Sequence, residues 1–222
     1  MPSSPKPAMP PKPSRPSAKA AATATGLLGL TALLVVGPAP AASAADPDTH
    51  LTSAATIEGV DYGTWRRDVA AVIAEARPYV EERAEDAGTE KQAIVLDIDN
   101  SSLETDFHPF WELPTPAIPE VRALVRDAHA RGVKVFFVTA RPGIIHSLTE
   151  WNLKQVGYPV DGLYVRSLPD LFAEVSAYKT EKRAEIEAKG YTIIANIGNN
   201  TTDIVGGHAE RAFKLPDYGK LS

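Results

Sequence analysis

Two aspartates, Asp97 and Asp99, stand two residues apart directly after the apolar run 93–96. This run is short and bounded by polar residues, which is typical of a buried strand. The turn-forming residues 100–102 follow at once. A carboxylate at the edge of an apolar core is costly unless a cation or a hydrogen-bond donor compensates it. The pair therefore places negative charge just beyond the carboxyl end of a strand, where α/β sheets bind their ligands.

Further polar residues follow other predicted strands or open a predicted helix. They are Thr139 after a second apolar run, Lys179 at the start of a charged helix, and Asn199 with Asp203 after a later apolar run. The carboxyl ends of parallel strands meet at one edge of a sheet. We therefore expect a hydroxyl, an ammonium and an amide with a carboxylate to converge on the first two aspartates.

Phosphoryl transfer can use every member of this set. A carboxylate that attacks a phosphate approaches another anion, and at about 4 Å in a partly dry site this repulsion is on the order of several kcal/mol. A divalent cation offsets the repulsion, and Mg²⁺ suits a site of carboxylates, carbonyls, waters and phosphate oxygens. Lys179 supplies a second positive charge, and the Thr139 hydroxyl can hold a phosphate oxygen. Asp99 can protonate the leaving oxygen and then deprotonate a water.

The hydrophobic pattern predicts elements that bring these residues together. Apolar residues spaced by three and four within 60–87 indicate an amphipathic helix, interrupted near Pro78. Strands are predicted at 93–96, 133–138, 163–165 and 192–197, with a fifth candidate at 211–215, and helices at 120–131, 144–156 and 178–189. This alternation favours an α/β fold, a Rossmann-like three-layer sandwich with a mainly parallel sheet and an N-terminal helical segment.

The first 45 residues differ sharply from the rest of the chain. Basic residues are their only charged side chains, and these precede the uncharged apolar stretch 20–36 and the small-residue sequence 42–44 (ASA). That order is typical of a secretory signal peptide with its cleavage site. An apolar stretch of about 17 residues is at the lower limit for a membrane span. We therefore expect residues 1–45 to be cleaved, leaving a secreted domain of residues 46–222 without a stable membrane anchor.

Charge and cysteine content exclude other classes of function. Residues 1–45 carry four positive and no negative side chains, so their removal changes the formal net charge from −5 to −9. A protein that binds nucleic acid polymers through its surface should instead be basic. The chain has no cysteine, which excludes a disulfide framework and thiol catalysis.

Taken in chain order, the polar motifs resemble those of the haloacid dehalogenase (HAD) superfamily. The pattern is D-x-D after the first strand, Thr after the second, Lys before a helix, and Gly-[Asp/Asn] followed by Asp after a later strand. The phrases VFFVTARP and YKTEKR…GY…NIGNN, together with the leader, resemble the secreted acid phosphatase branch, which includes class B and vegetative-storage-type proteins. The resemblance extends from about Val60 to the C-terminus.

This resemblance implies a phosphomonoesterase that acts on small-molecule phosphate monoesters through an aspartyl-phosphate. Asp97 would be the nucleophile and Asp99 the general acid and base. Thr139 and Lys179 would bind the substrate phosphate. The Mg²⁺ ligands would come from the first and fourth motifs: Asp97, the backbone carbonyl of Asp99, Asn199 and Asp203.

One departure from the family pattern keeps an alternative open. The fourth motif usually begins Gly-Asp, but Asn199 stands in that place, and its amide oxygen can ligate Mg²⁺ with one negative charge fewer. A non-catalytic binding or storage relative with a weakened metal site is therefore an alternative, although the intact Asp97 and Asp99 argue against it. A glycosyltransferase that holds a metal–nucleotide on these aspartates is a second alternative, and it would leave Thr139 and Lys179 unexplained.

The sequence leaves open the roles of two features near the predicted site. The aromatic loop 107–111 (FHPFW) either lines a substrate pocket or forms a hydrophobic plug over the core. Arg141, two residues after Thr139, is a candidate contact to phosphate or substrate. The sequence leaves the oligomeric state open.

Overall fold

Five parallel strands form the centre of the fold, in a computed structural model that describes residues 56–57 and 59–222. These strands are β3 (Gln92–Leu96), β4 (Lys134–Pro142), β5 (Gly162–Arg166), β6 (Thr192–Gly198) and β7 (Arg211–Lys214). Their order is β5-β4-β3-β6-β7, and every pairing is parallel. The strand that precedes Asp97 is therefore the central one. The predicted signal peptide, residues 1–45, lies outside the described residues.

Helices connect the strands, and a short antiparallel pair, β1 (Thr56–Ile57) and β2 (Val60–Asp61), precedes the first of them. The helices are α1 (Tyr62–Glu85), α2 (Pro119–Ala130), α3 (His146–Gln155), α4 (Val175–Ala188) and the single turn α5 (Thr201–Ile204). Within the part of the chain that the structure describes, none of them is long and apolar enough to cross a membrane.

Alternating side chains of the central strand divide the core into two layers. Ile94 and Leu96 belong to the larger layer, which also contains the buried faces of α1 and α2. Ala93 and Val95 point to the opposite side and pack with residues of α4 such as Ile186. Because successive side chains of a strand face opposite sides of the sheet, the sheet is covered on both faces. This arrangement confirms the predicted three-layer α/β fold.

The N-terminal helix α1 runs without a break through Pro78, so the predicted interruption at this proline is wrong. Asp61 caps the helix by accepting a hydrogen bond of 2.8 Å from the backbone nitrogen of Thr64. The face of α1 toward the core buries Trp65, Val69, Ile73, Ala76 and Val80. Burial along the whole helix outweighs the single backbone hydrogen bond that a proline removes.

The other predicted elements are present with shifted ends, and the fifth strand exists. The largest difference concerns β4, which extends to Pro142 and therefore contains Thr139 within the strand instead of after it. The pairing of β4 with β5 changes register between Val138 and Pro142. Such an irregularity turns a strand locally, and here it lies in the segment that carries Thr139 and Arg141.

Candidate active site

The structure brings Asp97, Lys179 and Asp203 into direct contact at the carboxyl edge of the sheet. The ammonium of Lys179 donates a hydrogen bond of 2.7 Å to Asp97 Oδ1 and a second hydrogen bond to Asp203 Oδ1. All three side chains are at most 7% exposed. Residues from three separate motifs therefore share one buried ionic cluster, as the sequence analysis predicted.

Burial and charge oppose each other in this cluster. Burial raises the pKa of the Asp97 carboxyl against the lowering effect of the Lys179 charge, and the charges of Asp203 and Asp99 raise it further. Burial alone would lower the pKa of Lys179, but the charges of Asp97 and Asp203 outweigh it and raise that pKa. Lys179 therefore stays charged, and its single positive charge faces two carboxylates. The cluster can accept a further cation.

Asp99 is held by Arg141 and not by Lys179. Arg141 Nη2 lies 2.7 Å from Asp99 Oδ1, and its Nε lies 3.0 Å from Oδ2, so the pair is bidentate. Burial would raise the pKa of Asp99, but the hydrogen bonds and charge of Arg141 hold it below the ordinary value. The sequence analysis offered Arg141 as a candidate contact to phosphate or substrate, and the structure pairs it with Asp99. Its closeness in sequence to Thr139 places it near the site, but the sequence does not pair it with Asp99 in particular.

Thr139 lies at the same edge with its side chain fully buried. Its hydroxyl accepts a hydrogen bond of 3.2 Å from the backbone nitrogen of Arg141. Among the described residues, no hydrogen bond joins it to Asp97 or Lys179. The hydroxyl proton of Thr139 is thus available to another acceptor, such as a phosphate oxygen.

The side-chain amide of Asn199 has a hydrogen-bond partner at its oxygen and another at its nitrogen. The Ser101 hydroxyl donates to Asn199 Oδ1 at 3.0 Å and accepts from the Asn199 backbone nitrogen at 2.9 Å. Asn199 Nδ2 donates to the main-chain oxygen of Ser222 at 2.8 Å. The sequence analysis assigned no role to Ser101 or Ser222, and the structure makes them the two hydrogen-bond partners of the Asn199 side chain.

Asp203 is fixed by the short helix that follows β6. Its Oδ2 accepts a hydrogen bond of 2.8 Å from the backbone nitrogen of Asn200, the helix N-cap. A Cβ on Gly198 would lie only 2.4 Å from Asp203 Cβ, so the glycine permits this close approach. Since Lys179 donates to its other oxygen, both carboxylate oxygens of Asp203 have protein donors.

The oxygen atoms at this edge fit a magnesium ion better than a softer metal. No group of three or more His, Cys, Asp or Glu side chains within the described ranges is arranged to hold a metal. The available donors are Asp97 Oδ2, the backbone carbonyl of Asp99 and the second lone pair of Asn199 Oδ1. Such hard oxygen donors suit Mg²⁺. With one carboxylate in this set, the site offers less negative charge than a Gly-Asp motif would.

The aromatic loop 107–111 divides into a buried and an exposed part. Phe107 is buried and stacks on Trp65 with ring centroids 4.5 Å apart, so it is the hydrophobic plug. Phe110 and Trp111 are 87% and 71% exposed and contact each other edge to face. Exposed apolar side chains also follow β4 and β5 at the same edge of the sheet: Ile144, Leu148, Trp151, Leu168, Leu171 and Phe172. We call this set, with Phe110 and Trp111, the aromatic rim.

Several plant proteins are similar in sequence to part of this chain. Stem 28 kDa glycoprotein of Glycine max is 33% identical over 106 residues, which are 46% of this chain and 42% of that protein. Acid phosphatase 1 of Solanum lycopersicum is 31% identical, over 46% of this chain and 41% of that protein. Vegetative storage protein 1 of Arabidopsis thaliana is 31% identical, over 46% and 38%. The chain thus spans less than half the length of these relatives.

A solved structure and a family model extend the comparison to most of the chain. The class C acid phosphatase from Bacillus anthracis with tungstate bound shares the fold, with a TM-score of 0.54 and 18% identity over 70% of this chain and 78% of that one. The model of HAD superfamily subfamily IIIB (acid phosphatase) matches residues 42–221. Enzymes of this superfamily generally use a divalent metal ion. The four motifs, the fold and the family model agree, and the chain belongs to the subfamily IIIB acid phosphatases of the HAD superfamily.

Proposed function

We propose that this protein is a secreted, Mg²⁺-dependent phosphomonoesterase that hydrolyses small-molecule phosphate monoesters through an aspartyl-phosphate. The observation that carries the proposal is the buried contact of Lys179 with both Asp97 and Asp203. It places a cation beside a carboxylate whose second oxygen is available for attack. Membership of an acid phosphatase family supports the reaction class.

Substrate binding would use the positive charge and the hydroxyl at this edge. The phosphate would lie against the Lys179 ammonium and the Thr139 hydroxyl, and Lys179 already touches Asp97 at 2.7 Å. A phosphate oxygen on the same ammonium is therefore held close to the nucleophile. When bound, Mg²⁺ would offset the repulsion between carboxylate and phosphate. Asp97, the Asp99 carbonyl and Asn199 would hold it, with Asp203 as a direct or water-mediated ligand.

The reaction would then run in two steps. In the first, an Asp97 oxygen bonds to phosphorus, the bond to the ester oxygen breaks, and Asp99 transfers its proton to the leaving alcohol. In the second, Asp99 takes a proton from water, the resulting hydroxide attacks phosphorus, and Asp97 leaves as a carboxylate. The products are an alcohol and inorganic phosphate, and both aspartates return to their starting forms.

Replacement of the nucleophile tests this assignment. We expect Asp97→Asn to abolish hydrolysis of an aryl phosphate, because an amide oxygen does not form the acyl phosphate. The variant should still fold, since burial disfavours the charge of Asp97. Turnover with Mg²⁺ and with chelator from pH 4 to 8, together with a thermal melt, is the measurement. Asp127→Asn on the exposed surface of α2 is the matched control, and near-wild-type activity of Asp97→Asn would refute the assignment.

A non-catalytic binding or storage relative remains the second candidate. Asn199 favours it, because the amide replaces a carboxylate and both of its polar atoms already have protein partners. A ligand that binds only the folded state raises the melting temperature. A folded protein with no Mg²⁺-dependent shift and no turnover at any pH would support this candidate over the enzyme.

We also propose that residues 1–45 are a secretory signal peptide and that residues 46–222 form the phosphatase domain. The family model begins at residue 42, close to this boundary. The names of the stem glycoprotein relatives are consistent with secretion. N-terminal sequencing of the exported protein should find a first residue near Asp46, and an intact N-terminus in the exported form would refute cleavage.

A further inference from the structure

Residues 105–115 form a loop that leaves the chain shortly after the first motif and is closed at its base. The backbone nitrogen of Glu104 donates to the carbonyl oxygen of Pro116 at 3.0 Å, and Leu103 and Ala117 form an isolated β-bridge. Beyond this base, the 105–115 loop carries the two exposed aromatic side chains of the rim. The contacts that hold the loop beyond its base therefore decide where these two side chains lie.

One side chain of α3 attaches the returning end of this loop. Asn152 Nδ2 donates to the carbonyl oxygen of Thr115 at 2.9 Å, and Asn152 Oδ1 accepts from the Thr115 backbone nitrogen at 2.8 Å. Asn152 is 1% exposed and Thr115 is 8% exposed. Buried backbone groups need a hydrogen-bond partner, and within the described part of the chain these two backbone groups have no other. Asn152 thus serves the loop as a neighbouring strand would.

The same face of α3 also contacts the residues that hold the proposed general acid. Thr149, which is buried, lies one turn before Asn152, so the two side chains share a face of the helix. Arg141 Nη1 donates to the Thr149 hydroxyl at 3.4 Å, and the same guanidinium clamps Asp99. The returning end of the loop and the clamp on Asp99 are therefore attached to one helix face.

A second attachment holds the outgoing end of the loop. Both ring nitrogens of His108 face carboxylates: Nε2 lies 3.2 Å from Glu104 Oε2, and Nδ1 lies 3.1 Å from Glu112 Oε2. Glu104 is buried and accepts hydrogen bonds from Tyr62 and Arg66 of α1. The loop is thus tied to α1 at one end and to α3 at the other, and its exposed aromatic residues lie between these attachments in the sequence.

We propose that Asn152 is a positioning residue for substrate specificity: its two hydrogen bonds hold the 105–115 loop on α3, so that the exposed aromatic side chains are already in place for the alcohol part of a phosphate ester bound at Asp97. A loop ordered before binding saves the substrate the entropic cost of ordering it. Esters with a flat aromatic alcohol part gain most from this, and small aliphatic esters gain little. The specificity role rests on the proposed function, whereas the attachment of the loop does not.

Hydrogen exchange of the wild-type protein tests the attachment without turnover. Residues 114 and 116 are prolines, which have no backbone N–H. The Thr115 amide is therefore the one exchangeable backbone amide of residues 114–116, and exchange followed by mass spectrometry can resolve it. We expect this amide to exchange slowly, because its N–H is buried on Asn152. Exchange as fast as that of an open loop would overturn the proposal.

Substitution of Asn152 tests the same attachment by proteolysis. Asn152→Asp keeps the shape of the side chain but places an acceptor against the Thr115 carbonyl oxygen, and Asn152→Ser removes both hydrogen bonds without adding a charge. We expect chymotrypsin to cut either folded variant after Phe110 or Trp111 several-fold faster than wild type. Ile186→Val, which trims the core on the other side of the sheet, is the control for lost stability. Cleavage of the folded variants no faster than that of the control would overturn the proposal.

Steady-state kinetics on the folded Asn152 variants test the specificity role. We expect KM for an aryl phosphate to rise several-fold, while kcat, KM for a small aliphatic phosphate and the inhibition constant of inorganic phosphate stay near their wild-type values. A general structural defect would change all four, and such a uniform change, or an unchanged KM for the aryl ester, would refute the role in specificity. Absence of turnover in the wild type would instead refute the proposed function, and exchange and proteolysis would still decide the attachment.

Discussion

The guanidinium of Arg141 holds the Asp99 carboxylate through hydrogen bonds of 2.7 and 3.0 Å. As a general acid, Asp99 must carry a proton in the first step, and as a base it must have lost it in the second. Burial would favour the protonated form, but Arg141 outweighs burial and lowers the pKa of Asp99. In the free protein Asp99 therefore favours the ionised form, which is the form that the second step needs as a base. The first step needs protonated Asp99 and is favoured at low pH.

Arg141 should therefore set the upper pH limit of turnover. With Arg141→Gln, the pKa of Asp99 rises because burial remains and the opposing charge is lost. Turnover that needs protonated Asp99 falls as pH rises through this pKa, so the alkaline limb of kcat should move to higher pH. Arg141→Lys keeps the charge and should shift the limb less. A kcat profile from pH 4 to 8 checks this, and a uniformly lower profile with an unmoved limb would contradict it.

Some contacts between single residues of the site could be predicted from the sequence, and others could not. Asp97, Lys179 and Asp203 could be predicted to meet, since parallel strands bring their ends to one edge. The clamp of Arg141 on Asp99 and the contact of Ser222 with Asn199 could not. Those contacts depend on how the segment after β4 and residues 217–222 pack in three dimensions, and neither residue spacing nor composition encodes that packing.

The elements β6, α5 and α4 together hold the fourth motif, Asn199 and Asp203, in place. Arg183 of α4, one turn after Lys179, is buried and donates to the backbone oxygens of Asp203, Val205 and Gly207. Residues four apart on a helix share a face. The helix that supplies the phosphate-binding lysine therefore also fixes the chain around Asp203.

A methyl group at Gly198 should disturb this support. Gly198→Ala places a Cβ within 2.4 Å of Asp203 Cβ, so Asp203 must move away from Lys179 and Asn200. We expect a loss of about 1–3 kcal/mol of unfolding free energy and at least a tenfold loss of turnover. Denaturant titration and aryl phosphate hydrolysis are the measurements. Gly63→Ala in α1, where a Cβ would have ordinary contacts of 3.4 Å or more, should change neither, and equal effects of both substitutions would contradict the argument.

Helices and strands could be predicted where the hydrophobic pattern of the sequence determines them. They were predicted less well where their bounds depend on tertiary packing. The core strands and helices were predicted because their apolar periodicity reflects burial on one or both faces. The break at Pro78 was a local inference, and the long buried face of α1 overrides it. The end of β4 was placed too early because Thr139 and Arg141 are polar; the strand continues past them and pairs with β5 again at Pro142.

On the scale of the whole molecule, most large apolar side chains that are exposed in the described part belong to the segments that follow β3, β4 and β5. Within the described part, eight of the eleven large hydrophobic residues that are exposed belong to the aromatic rim. Surface apolar residues gathered in this way mark a binding region more often than scattered ones do. The aromatic rim is thus the region where the alcohol part of a substrate would be recognised.

Removal of exposed rim aromatics should change specificity without changing stability. We expect Phe110→Ser with Trp111→Ser to raise KM for an aryl phosphate several-fold, and KM for a small aliphatic phosphate much less, because stacking is lost. Since both side chains are exposed, the free energy of unfolding should stay within about 0.5 kcal/mol. Steady-state kinetics on both substrates and a denaturant titration check this. Phe107→Leu in the buried plug is the contrasting control, and equal KM changes for both substrates would count against the rim.

The position of β3 in the chain has a consequence for proteolysis of the protein from its C-terminal side. The strand that delivers the nucleophile is the first of the parallel sheet in the chain, yet its two neighbours begin only at residues 134 and 192. A chain shortened by proteolysis from its C-terminal side would keep Asp97 but lose Asp203 and Asn199, then β6, and finally Lys179. Activity would therefore be lost once such shortening reaches the fourth motif, long before it reaches the nucleophile. A measured turnover would then report molecules whose fourth motif is intact, because a shortened chain would lose activity altogether.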